Sequence, residues 1–246
     1  MENIEYKTMF SVENDFWWYR GLHDLVLRHV RSVHGPLQTK RILDAGCGTG
    51  RMMELLKPIG EVEGFDISPE ALRFCAERGL KNVSLHDLSA WQGIAGVYDV
   101  IVCLDVLCHD AIQDEDGIIR EFHRCLKPGG VLIVNLPAFE LLRRGHDRAV
   151  HTRKRYRARE TVSRYEAAGF TLRRATYRLP HLFFIIVCKK LVERLLGIDK
   201  PESDLKSLPA WLNSALSWCN RFENRCIAAG ITFPWGVSLF IVAEKR

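Results

Sequence analysis

The stretch "LDAGCGTGR", residues 43 to 51, places an acid, Asp44, two residues before the first of three glycines at alternate positions, Gly46, Gly48 and Gly50. A glycine turn admits backbone angles closed to other residues and lets a ligand lie against the main chain. Two ligand classes compete for it. A dinucleotide turn reads G-x-G-x-x-G/A, so that the following helix closes on the strand and offers its N-terminus to a pyrophosphate. Counted from Gly46 and Gly48, that third small residue is replaced by Arg51, and the sequence holds no G-x-x-x-x-G-K-S/T phosphate loop. An acid within the loop repels a diphosphate and suits a cationic group. Asp66, at the end of the next apolar run, stands where a carboxylate accepts both ribose hydroxyls. Adenosine joined to an amino acid through a sulfonium fits both acids.

Positioning these acids takes strands that end beside one another. "RILDAG" at 41 to 46 reads as a short buried strand and "RMMELLK" as the start of a helix. "EVEGFDIS" at 61 to 68 reads as a strand, and "PEALRFCAERG" as a helix with Pro69 in its first turn and Gly79 at its end. "NVSLHDL", "YDVIVCLDVL" at 98 to 107, a helix from Asp114 to Leu126, a "KPGG" turn and "VLIVNLP" at 131 to 137 continue the alternation. Strand following helix following strand gives an α/β fold, a parallel sheet covered on both faces. A helical segment from Asn14 to His34 precedes it; a helix from Arg159 to Gly169 and strands at 170–179 and 236–246 complete it.

Between those last two strands lies an insertion of roughly 50 residues, too long for plain loop. One helix spans His181 to Leu196, and a second carries Leu208, Leu212, Leu216 and Cys219 at spacings of three and four. Neither apolar face has a partner in the sheet pattern, so the pair is expected to cover the ligand edge as a lid; two plain outer-layer helices are the alternative.

The chain of 246 residues is long enough for one domain with a buried core, and 47% hydrophobic with 26% charged residues excludes disordered and fibrous classes. Its N-terminus lacks a secretory pattern, and the apolar run at 182–188 falls short of the about 20 residues of a membrane span, so a cytoplasmic location is expected. Eight cysteines without paired spacing read as reduced structural thiols. The net charge of +5 conceals a basic block: residues 143 to 178 hold twelve Lys or Arg against three acids. Such a block attracts an anionic substrate, a membrane surface or nucleic acid, or serves only as a solvated face.

Taken in order, these motifs resemble the class I S-adenosylmethionine-dependent methyltransferases. "LDAGCGTG" is similar to that superfamily's first motif, "GFDIS" to its ribose-binding acid, "HDL" to its adenine-contacting loop, "YDVIVCLDVLCH" to its fourth strand and "LKPGGVLIVNLP" to its fifth. The likeness is strong over residues 41–137, and the nearest branch holds quinone-biosynthesis methyltransferases and uncharacterised bacterial relatives.

The resemblance implies a Rossmann-like, doubly wound, mostly parallel seven-stranded sheet with an antiparallel last strand. A single methyltransferase domain would span 1–246, with an N-terminal helical cover at 1–40, a cofactor-binding core at 41–180, the helical insertion at 181–235 and the last strand at 236–246. It implies further that Asp44 and Gly46, with Ala45 and Gly48 of the same turn, hold the methionine end of S-adenosyl-L-methionine. Asp66 and Ile67 would take the ribose and Asp87 and Leu88 the adenine edge, and Asp105 would line the floor near the sulfonium. "ENDFWWYRGLHDLV" resembles a segment that folds over the cofactor in this branch, so Trp18, Tyr19 or Arg20 could close the pocket, the guanidinium meeting the cofactor's carboxylate.

Methyl transfer from a sulfonium depends mainly on alignment in a dry pocket, and a base helps where the acceptor is a hydroxyl or an acidic carbon. His109 lies past the fourth strand, and "GHDRAVHTRKRY" supplies His146, Asp147, His151 and Tyr156 past the fifth. A His beside an acid serves as an oriented base, or caps a helix or bonds a carbonyl. His146 and His151 are five apart, off one helix face, and no metal is expected. Tyr156 and Arg153 could grip an acceptor's carboxylate or phosphate. The acceptor expected is a small or lipidic metabolite, with peripheral membrane contact through Leu182 to Val187. The alternatives are an RNA methyltransferase using the 143–178 block, disfavoured because no RNA-binding module or N-P-P-Y/F signature is present, a non-catalytic cofactor-binding partner protein and, more distantly, a nicotinamide oxidoreductase.

Overall fold

Apolar runs that end in acids become the central strands. The computed structural model describes residues 3–33, 39–143, 145–195 and 208–246. Strands β1 (Lys40–Ala45), β2 (Gly60–Asp66), β3 (Val83–Leu85), β4 (Tyr98–Leu104) and β5 (Leu126–Pro137) run parallel. β6 (Phe170–Arg178) and β7 (Ser238–Lys245) complete a sheet of order β3-β2-β1-β4-β5-β7-β6. The last strand enters between β5 and β6, antiparallel to both. Strand order reverses between β1 and β4, so their carboxyl ends, with Asp44 and Asp105, border the crevice where such sheets bind ligands.

Alternate residues of each strand feed two cores. Ile42, Val100 and Val131 pack with Leu25 and Met53 on one face, while Leu43, Ile101 and Leu132 pack with Phe122 and Tyr165 on the other. The helices are α1 (Asn3–Val12), α2 (Trp17–Ser32), α3 (Arg51–Leu56), α4 (Pro69–Glu77), α5 (Glu115–Cys125), α6 (Gly145–Ala149), α7 (Ala158–Ala167), α8 (Pro180–Leu195) and α9 (Ala210–Ala228). Ser68 and Asp114 cap α4 and α5 by accepting from the third backbone N–H beyond them.

The N-terminal cover differs from expectation. Its helix begins at Trp17, not Asn14, and α1 precedes it; His34 lies outside the described residues. α2 is tied to the inserted helix α9 by asparagines. Asn213 Oδ1 accepts from the Trp17 N–H, and Asn220 and Asn224 donate to the carbonyls of Trp17 and Gly21, each at 2.9 Å. Gly21 permits this approach, since a Cβ there would stand 2.1 Å from Asn220 Nδ2.

Much of the basic block is structural. Arg164 and Lys154 converge on the buried Glu115, Arg155 pairs with Asp147, Arg173 with Glu244, and Arg178 is buried. Glu115 therefore joins α5, α7 and the segment before α7. Because its cationic partners remain about a third exposed and hydrated, Glu115→Ala is expected to cost about 2 kcal/mol, lowering the unfolding midpoint by about 4–8 °C in a thermal melt.

Candidate active site

Gly46, Gly48 and Gly50 take positive φ, +78°, +55° and +78°. A Cβ on Gly46 would stand 2.4 Å from Val106 Cγ2, and one on Gly50 2.3 Å from Leu80 Cδ1. Gly50 thus gives the close approach that a dinucleotide turn obtains one position later. The first three amides of this turn are already engaged. Gly46 and Cys47 N–H both donate to the Phe65 carbonyl at 2.9 Å, and Gly48 N–H donates to Asp66 Oδ2 at 2.9 Å. Donors consumed in this way cannot cradle a diphosphate.

A cavity of about 1220 Å³ opens above the turn. One small ligand usually occupies about 300–1,000 Å³, so two reactants fit. Its inner part is lined by Asp44, Gly46, Gly48, Asp66, Ile67 and Leu88, its outer part by Leu182 and Ile186 of α8 with Leu212 and Leu216 of α9. Asp44 is buried, and its Oδ2 has no hydrogen-bond partner among the described residues. Burial, and then the neighbouring charge of Asp66, push its pKa up to about 7. A buried carboxylate with an open oxygen facing a cavity is a receptor for a cation or a hydrogen-bond donor. Asp66 accepts from Gly48 N–H, Ser68 N–H and the Tyr6 hydroxyl, the last at 3.2 Å. Asp87 faces the cavity while one of its oxygens accepts from Ser89 N–H in a local turn.

Asp105 also lines the cavity, at φ +58°, and both its oxygens accept from Asn135 Nδ2 at 3.0 and 2.9 Å. Burial raises its pKa to about 6 against the lowering pull of Asn135, Arg178 and Arg155. Trp18 and Tyr19, edge to face at 4.9 Å, form part of the wall. Arg20 does not: it is exposed and faces a separate shallow depression with Asp24 and Arg221, because one residue along a helix turns a side chain through about 100°. Arg51, in the first turn of α3, lines the cavity, as do Arg143, Arg148 and Arg155; the Arg51 Nη1 pairs with Glu54 at 2.6 Å while its Nε is buried and without a partner among the described residues. Ala45 is buried beneath the turn and does not line the cavity.

The expected base candidates separate. His109 lines the cavity, and its Nδ1 is 3.2 Å from Asp110 Oδ1. Burial lowers its pKa, which favours the neutral, proton-accepting ring. Asp147 also borders the cavity and is bound twice by Arg155, at 2.8 and 3.0 Å, so its charge is shared with a buried ion pair. His151 is exposed, turned instead toward Asp110 with Nδ1 3.5 Å from Oδ2, and stands outside the cavity wall. Tyr156 is buried, its hydroxyl donating to the Leu107 carbonyl at 2.9 Å, so it grips no ligand in this arrangement. His146 lies in α6, and its side chain is outside the described residues.

Tyr6, Glu13 and Arg51 were not expected. Glu13 is buried beside the turn, accepting from Thr49 Oγ1 and pairing with Arg78 at 2.7 Å, so α1 is anchored to the glycine turn as well as to Asp66. Arg51 was legible as a cation one residue past the glycines; the α1 contacts join residues far apart in sequence and carry no motif.

Residues 37–168, more than half of the chain, match the family model described as a methyltransferase domain. The chain belongs to that methyltransferase family. It is 30% identical over 127 residues to a ubiquinone biosynthesis O-methyltransferase of Bordetella avium, covering 48% of this chain and 51% of that one. With the same-named protein of Xanthomonas oryzae it shares 35% over 142 residues, covering 51% and 58%. The chain thus spans about half the length of the curated relatives it matches. Among solved structures it is similar to phosphoethanolamine N-methyltransferase 2 of Haemonchus contortus in complex with S-adenosyl-L-methionine, with TM-score 0.58 and 19% identity, covering 91% of this chain and 52% of that one. It is also similar to the [4+2]-cyclase SpnF, with TM-score 0.57 and 20% identity, covering 93% and 82%. These two likenesses show the fold alone, and a cyclase built on it makes the site the arbiter of chemistry.

Proposed function

We propose that this methyltransferase-family chain moves the methyl group of S-adenosyl-L-methionine to an O, N or C atom of a small or lipidic metabolite. The observation that carries the reading is the pairing of Asp44, buried with an open oxygen, with a glycine turn whose first three amides are already bonded. That combination suits a cationic nucleoside and opposes a diphosphate one. When bound, S-adenosylmethionine supplies an electrophilic methyl on a positively charged sulfur.

The chain's own residues then divide the work. Asp44 and the glycine turn hold the amino end, Arg51 attracts the carboxylate, Asp66 and Ile67 take the ribose, and Asp87 and Leu88 border the adenine. Trp18 and Tyr19 exclude water, which supports an in-line displacement more than any single side chain does. His109, kept neutral by burial and oriented by Asp110, accepts a proton where the acceptor is a hydroxyl. The likeness to ubiquinone biosynthesis O-methyltransferases favours such an oxygen acceptor.

The outer cavity supports an apolar acceptor body. Leu182, Ile186, Leu212 and Leu216 form its wall, and Phe184, Ile185, Leu191 and Trp211 are exposed on the same two helices. Those exposed residues support peripheral membrane contact, although no described helix is long and apolar enough to cross a membrane. The RNA alternative loses ground because much of the basic block is committed to internal ion pairs.

Labelled S-adenosylmethionine tested against metabolite, lipid and RNA fractions decides between the acceptor classes: label entering the lipid or small-metabolite fraction is expected, and label entering only RNA overturns the acceptor assignment. Within that assay, Leu212→Asp is expected to raise the acceptor KM about tenfold through lost apolar contact, with cofactor affinity unchanged. An unchanged KM would remove α9 from the acceptor site.

A further inference from the structure

A buried charged chain runs from Asp105 on the cavity floor to the helical insertion, and the cofactor reading uses only its Asp105 end. Arg178, ending β6, is fully buried. Its Nη1 donates to Asn135 Oδ1 of β5 at 3.4 Å, and Asn135 Nδ2 donates to both oxygens of Asp105 beyond β4. On its other side stands Glu223 of α9, also buried, whose two oxygens accept from Leu179 N–H at 3.0 and 3.1 Å. Arg178 Nε and Nη2 have no hydrogen-bond partner among the described residues, and its charge is stabilised through space by Glu223 and Asp105.

Stability alone does not account for this arrangement. A buried guanidinium incompletely hydrogen-bonded costs free energy that a well-packed apolar residue would not. Both ends of the chain are also conformationally constrained, since Asp105 and Leu179 hold positive φ, +58° and +59°. Asn135 grips Asp105 twice, through its side chain and by accepting the Asp105 N–H at 2.8 Å on its carbonyl. Of the four polar side chains in this series, only Asp105 faces the cavity. Its charge state decides what it can hold there, because an ionised carboxylate only accepts hydrogen bonds whereas a protonated one also donates.

We propose that Arg178 is a positioning residue that fixes the orientation and charge of Asp105 on the cavity floor and couples that carboxylate to the seating of α9 through Glu223. The proposal rests on the methyltransferase reading for its kinetic consequences, but not for its titration. The charged and titratable groups around Asp105 are Arg178 from β6, Arg155 from the segment before α7, Tyr19 from α2, and the thiols Cys103 and Cys108 on either side in sequence. Arg155 is already paired with Asp147, and His181 of α8, with Nδ1 3.8 Å from Glu223 Oε2, has its pKa lowered by burial, which leaves Arg178 as the permanent cation balanced against Asp105 and Glu223.

The test titrates the Asp105 carboxyl by carbon NMR in the full chain, assigned with Asp105→Asn, alongside kcat and KM from about pH 5 to about pH 9. Arg178→Met is expected to raise the Asp105 pKa by about one unit, to move the acid limb of kcat upward with it, and to leave cofactor affinity within about twofold. Arg178→Lys restores most of the original titration. Glu223→Gln moves Asp105 the opposite way, since Arg178 is then balanced by Asp105 alone. An Asp105 titration unmoved by Arg178→Met, or shifted in the same direction by Glu223→Gln, overturns the proposal. Should Arg178→Met fail to fold, Arg178→Gln, which likewise removes the charge, gives the same decision: an Asp105 titration that it leaves unmoved overturns the proposal. Failure of the methyltransferase reading shows differently, as absence of turnover in the unaltered chain while the titrations still report on Arg178.

Discussion

Asp66→Ala is expected to weaken S-adenosylmethionine binding several-hundred-fold in a calorimetric titration. A carboxylate offers about four lone-pair sites, and here Gly48 N–H, Ser68 N–H and the Tyr6 hydroxyl take three. Ribose brings two hydroxyls, so one finds the open site and the other displaces Tyr6. Removing the acid forfeits two charge-assisted hydrogen bonds of about 1.5–3 kcal/mol each and leaves Gly48 N–H without its acceptor, and each 1.4 kcal/mol is about tenfold in affinity. Tyr6→Phe is the control that separates ligand contact from turn support. It leaves Gly48 bonded and is expected to change affinity by less than about threefold. If Tyr6→Phe weakens binding as much as Asp66→Ala, the Tyr6 contact supports the site and does not merely stand in for a ribose hydroxyl.

Asp44→Asn is expected to have the second largest effect, about a hundredfold loss of affinity at neutral pH, and to remove a pH dependence. The folded pKa lies at about 7, above the ordinary 3.8, because burial and the charge of Asp66 oppose ionisation. A cationic ligand binds the ionised form, so affinity rises as pH increases through about 7 and falls about tenfold per unit below it. The same shift works against the empty protein. Between pH 3.8 and about 7 the folded state holds a proton that the unfolded state has released, so stability falls as pH rises through this window. Asp44→Asn without ligand is accordingly expected to melt higher than the unaltered chain at pH 7 while binding worse. A variant that is both less stable and unaltered in affinity would make Asp44 a structural residue.

The parts of this site that were legible in sequence lie at strand ends. Asp44, Asp66 and Asp105 each interrupt an apolar run, and the alternation of strands with helices puts all three at the carboxyl edge of the sheet. What escaped depends on helix phase or on distance along the chain. Arg20 and Tyr19 are neighbours, yet only Tyr19 faces the cavity, which a run of consecutive aromatics does not disclose. α1 carries Ile4, Tyr6, Met9 and Phe10 without the repeating one-sided stripe that marks a helix, and its contacts, with those of Glu13 just after it, reach Asp66, Thr49 and Arg78. Asp147 beside two histidines looked like part of a base, but Arg155, eight residues on, claims it. Arg178 gave no signal inside a basic block, since nothing in composition separates a buried guanidinium from a solvated one.

The central claim is that a sulfonium nucleoside, and no diphosphate one, lies against the turn after β1. Calorimetry on the purified chain with S-adenosylmethionine, S-adenosylhomocysteine and NADH tests it directly. Binding of the first two, lost in Asp66→Ala, with no heat from NADH is the result expected; uptake of NADH with indifference to both sulfur nucleosides would contradict it.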